Sequence, residues 1–160
     1  MVAAVILAVA SLGALQYQYY ATAQGRIATG QIAASRAAHL LLEDWKSTGG
    51  STAYDPHSLS LGFSNVCAVP AGFTTPAGLG TTLNNGVYGI TLANLPMLAM
   101  LKYLDVERDS QAQTTLRQLA VVVRFAQIEA GGGMSVPENR FGGLAPITLV
   151  TYVRLDGADG

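Results

Sequence analysis

Charge is scarce in this sequence. Asp, Glu, Lys and Arg make up 12% of its 160 residues, about half the share usual in a soluble globular domain. The net charge is −1 and the nine Lys and Arg are scattered. No basic track for a phosphate backbone exists, so no nucleic-acid partner is indicated. Cys67 is the single cysteine, which excludes a disulfide within the chain and any paired-cysteine metal site. Proline does not occur before Pro56, and no charged side chain precedes Arg26. The sequence also lacks a phosphate-binding glycine loop and an internal repeat. What remains is half hydrophobic, with room for one modest core and an appendage.

That appendage is the opening run, MVAAVILAVASLGAL, whose only polar side chain is Ser11. As a helix it spans roughly 22 Å at about 1.5 Å per residue, short of the roughly 30 Å hydrocarbon core of a bilayer. Tyr17, Tyr19 and Tyr20 follow, where an interfacial aromatic belt would sit. Ala21-Thr22-Ala23 matches the A-x-A pattern of a signal-peptide cleavage site, but no basic residue precedes the apolar run. A secreted domain beginning at Gln24 is therefore one reading, and a single-span envelope protein displaying a small β domain is another.

The helical pattern continues beyond the apolar run. Tyr20, Ala23, Ile27, Gly30, Ala34, Ala38, Leu41 and Trp45 recur at steps of three and four, which predicts one buried stripe. Gln24, Arg26, Gln31, Ser35 and Arg36 occupy the opposite side, and Ser47-Thr48-Gly49-Gly50 marks the end. One helix from about residue 2 to 46 is expected, all-apolar in its first half and amphipathic in its second. Residues 1–25 form the first part of this division and residues 26–160 a globular part. Ile27, Ala34, Ala38, Leu41 and Trp45 are the expected helix–sheet packing residues. The all-apolar half finds no partner in so small a chain, so it needs lipid or copies of itself.

This opening run with its uninterrupted extension resembles the N-terminal segment of type IV pilins and type II secretion pseudopilins. The resemblance implies a structural subunit, not an enzyme, that waits in the inner membrane of a bacterial envelope and then packs into a filament. Its filament is extracellular, or periplasmic for a pseudopilin. Val2, Val5, Ile6, Leu7, Val9, Leu12, Gly13 and Leu15 are then the membrane and filament-core residues. The implied partners are identical or related subunits, the inner membrane and the pilus assembly machinery, with no cofactor. In the family a basic leader is removed after glycine, the new N-terminus is methylated, and a glutamate lies at the fifth mature position. No glutamate occurs here before Glu43, so the expectation is that this sequence begins about six residues into the mature protein. Family members often close a C-terminal loop with a disulfide, which a single cysteine cannot do.

The implied fold is α+β, a long N-terminal helix packed on a small antiparallel sheet. Two segments read as its strands by alternation, RQLAVVVRFAQ and APITLVTYVRL. Leu119, Val121, Val123 and Phe125 share one face of the first; Ile147, Leu149, Thr151, Val153 and Leu155 share one face of the second. This closing pair looks like the end of a minor pilin, so a filament-priming minor pilin or pseudopilin is an alternative. GVYGITLA, residues 86–93, is a third strand candidate. Asn94 is expected to cap a short helix with Pro96 in its first turn, running to about Leu104. Met97 and Met100 are expected as core filling. Residues 47–85 and 127–145 are rich in Gly and small polar residues, read as surface loops and interface candidates.

Other groups with chemical potential are read blandly. Asp55-Pro56-His57 is expected to be a turn, since no nucleophile is positioned beside the pair. His39 lies within the helix, packed or partly exposed. Cys67 is expected to be a buried thiol. Asp105, Glu107 and Asp109 could offer oxygens to Ca²⁺, but they lack the glycine turn of an EF-hand and read as a solvated acidic turn.

Overall fold

The computed structural model describes residues 2–70, 73–92, 94–109, 114–125 and 145–156. Among these residues it is an α+β fold: one long helix, α1 (Val2–Ser47), and five antiparallel strands. The strands are β1 (Thr81–Thr82), β2 (Tyr88–Leu92), β3 (Leu95–Asp109), β4 (Thr114–Phe125) and β5 (Ile147–Asp156). β4 lies between β3 and β5, while β1 and β2 share the far edge of β3.

α1 runs unbroken because no proline occurs in it and most of its residues are good helix formers. It stops at glycine. Gly49 and Gly50 take φ of +69° and +71°, and the Gly50 N–H donates to the Trp45 carbonyl at 3.0 Å. Left-handed backbone there lets the chain reverse onto the sheet. Gly50 is required twice over, since a Cβ would also lie 2.7 Å from Val153 Cγ2.

The second half of the helix buries Ala34, Ala37, Ala38, Leu41, Leu42 and Trp45 against Leu119, Val121, Val123 and Phe125 of β4 and Val153 of β5. Alanine on the helix and β-branched residues on the sheet bring the two backbones close. Each fully buried Leu or Val here contributes about 1.5–3 kcal/mol of hydrophobic stabilisation. The opposite sheet face carries a second, smaller core of Phe73, Leu79, Val87, Met100, Ala120 and Val122. The sheet is thus the middle of three layers.

That third layer corrects the reading of residues 47–85 as simple surface loops. They include 3-10 turns at Pro56–Leu59 and Leu83–Asn85 and the strand β1. They bury Phe73 and Leu79 in that layer, and Tyr54, Phe63 and Leu83 in the helix-side core. Gly and small polar residues hide this role, because a covering loop needs only a few apolar anchors. The same segment shields the edge of β2: Cys67 bridges Val87, and the Ser64 N–H donates to the Gly89 carbonyl at 2.8 Å. Edge strands left open invite pairing with other chains, and this cover removes that opportunity.

The helix expected from Asn94 to about Leu104 is instead the first part of β3. Leu92 pairs with Leu95, so β2 turns tightly into β3, and Asn94 has φ of +66°. An N-cap needs extended backbone, whereas tight hairpins need positive φ. Pro96 is tolerated because β4 pairing begins only at Met97. Met97 and Met100 are both buried, on opposite faces of the strand. A strand apolar on both faces shows no alternation, so its pattern does not distinguish it from a buried helix.

Candidate functional site

α1 leaves the globular fold at Gly30. A Cβ there would lie 2.6 Å from Phe125 Cε2, so glycine is what lets the helix pass this ring. Ile27 and Ala23 are half-buried, and every described side chain from Ala10 to Thr22 is exposed. Leu7, Leu12 and Leu15 are 69%, 62% and 62% exposed. Gly13 meets nothing within 4 Å. Val2, Val5, Ile6 and Val9 belong to the same helix, and their side chains lie outside the described set. Tyr17, Tyr19 and Tyr20 also face outward, the last two edge to face at 6.2 Å. Tyr20 therefore continues the stripe in angle but not in burial.

Three hydroxyls along this stretch of the helix are satisfied within it. Ser11 Oγ donates to the Leu7 carbonyl at 2.7 Å, Thr22 Oγ1 to Gln18 at 2.8 Å and Thr29 Oγ1 to Gly25 at 2.9 Å. A hydroxyl bonded back four residues presents no unmet donor to an apolar neighbour. Gln16 and Gln18 nevertheless follow Leu15 closely. Among the described residues, no helix is long and apolar enough to cross a membrane.

The other end of the helix is tied down by polar contacts. Tyr54 donates its phenol O–H to Asp44 Oδ2 at 2.6 Å and stacks on Trp45 with ring centroids 5.8 Å apart. Trp45 Nε1 donates to the Ser51 carbonyl at 2.8 Å. Asn84 Nδ2 reaches both the Tyr54 carbonyl, at 3.2 Å, and Tyr88 Oη, at 2.6 Å. Burial, reinforced by the Asp44 carboxylate, pushes the Tyr54 phenol far above the usual tyrosine range. Burial also raises Tyr88, against the opposing hydrogen bond from Asn84. Beside them Arg117 donates to Asp105 at 2.6 and 3.1 Å and to the Gly50 carbonyl at 3.1 Å. Its guanidinium lies 5.1 Å from the Tyr103 ring centre. The hydrogen bonds from Arg117 hold the Asp105 carboxyl below its ordinary value.

Sequence reading missed this clamp. Its signal was present only as an aromatic and an asparagine inside Gly-rich stretches, far from the helix in sequence. Residues that sequence reading did single out separate. His39 is exposed on α1. Asp55-Pro56-His57 is a turn: Asp55 Oδ1 accepts from the His57 N–H at 3.0 Å and caps the short 3-10 helix. Cys67 is exposed, contrary to its expected burial, because its backbone pairs with Val87 at the sheet edge and its side chain points outward. Asp105, Glu107 and Asp109 lie in β3, not in a turn, and the ladder slips between Asp105 and Glu107. Among the described residues, no three His, Cys, Asp or Glu side chains are grouped to hold a metal ion. The interface stretch 127–145 lies outside the described residues except for Ala145.

Compared with family models, with curated proteins and with solved structures, the chain has no match.

Proposed function

We propose that this protein is a structural subunit of a type IV pilus-like filament. The observation that carries this reading is an apolar half-helix, with Leu7, Leu12 and Leu15 exposed, continuous with a half that is locked onto a sheet. Among the described residues nothing covers Leu7, Leu12 or Leu15, and on this reading their cover comes from outside the chain. Before assembly that cover is the inner membrane. After assembly it is the same half-helix of neighbouring subunits, packed in the filament core.

The energetics favour such an exchange. Apolar surface that moves from lipid into a helix bundle stays dry throughout, so extraction forfeits little hydrophobic free energy. Ala10, Gly13 and Ala14 are small, and Ser11, Thr22 and Thr29 are bonded to their own helix, so close helix–helix approach strands none of these three hydroxyls.

Mechanical shear of native cells, followed by pelleting and intact-mass analysis, tests the proposal. A subunit sediments as a polymer, and its N-terminal peptide carries a methylated residue and a glutamate ahead of MVAAVIL. Recovery only as trace material in a polymer of another subunit assigns the minor-pilin or pseudopilin role. A detergent-extracted monomer with unprocessed Met1 overturns the filament in favour of an envelope anchor, and a soluble chain beginning at Gln24 overturns both.

A further inference from the structure

We draw no further inference here: the strongest candidate, the exposed apolar patch that Leu104, Val150 and Tyr152 make on the sheet face away from the helix, carries nothing because nothing in the structure shows what covers it.

Discussion

At Gly30 a single missing methyl sets how closely helix and sheet approach. Gly30→Ala forces its Cβ to 2.6 Å from the Phe125 ring, so overpacking should cost about 1–3 kcal/mol. Urea unfolding measures it, and a compensating Phe125→Leu change should recover part of the loss. Two titrating groups give opposite pH signatures. The Tyr54 phenol is raised, so the stability it contributes is whole below the ordinary tyrosine value and is lost as pH rises through the folded one. Alkaline denaturation should therefore begin earlier in wild type than in Tyr54→Phe, although the variant gives up about 0.5–1.5 kcal/mol at neutral pH with the hydrogen bond to Asp44. Asp105 is lowered, so its contribution is present above the ordinary aspartate value and disappears as pH falls through the folded one. The Asp105 side chain is 47% exposed, so Asp105→Asn should cost only about 0.2–1 kcal/mol at neutral pH and nothing in strong acid.

As an element, α1 has two halves that should respond differently to the same kind of change. Trp45 is fully buried, and Trp45→Ala should destabilise the fold by about 3–5 kcal/mol. Leu12 is 62% exposed, so Leu12→Ala should leave the unfolding free energy of the monomer within about 0.5 kcal/mol. The same change should lower the yield of sheared polymer if the half-helix is the filament core. Equal losses of stability at both positions would mean that the first half packs on its own chain. β3 carries a different lesson. Its residues alternate between two buried faces, so LPMLAML showed no period, and the deciding feature was the left-handed Asn94 of a hairpin.

At the scale of the molecule, cores lie on both faces of the sheet, and among the described residues neither includes a side chain before Ala33. A truncated chain beginning at Gln24 should therefore fold with the same cooperative transition and stay monomeric, since none of the described side chains removed belongs to either core. Circular dichroism and sedimentation velocity check both points. A truncated chain that fails to fold would show that the free half contributes to the globular core, and one that still polymerises would sink the assembly role given to it.

Much of this protein could be read along the chain. The long helix, the part of its stripe from Gly30 to Trp45 that is buried and the pairing strands β4 and β5 follow from periodicity, because each records local geometry in residues three, four or two apart, and the glycine pair marks the helix stop. The apolar character of the opening run was equally plain. Tertiary structure alone decided where the helix parts from the sheet, since Gly30 matters only once Phe125 is beside it. It alone laid Phe73, Leu79 and Val87 over the second sheet face, exposed Cys67, and joined Asp44, Tyr54, Asn84 and Tyr88 into a clamp. Those contacts bring together residues distant in sequence, and no local pattern encodes which distant partner a loop residue will meet.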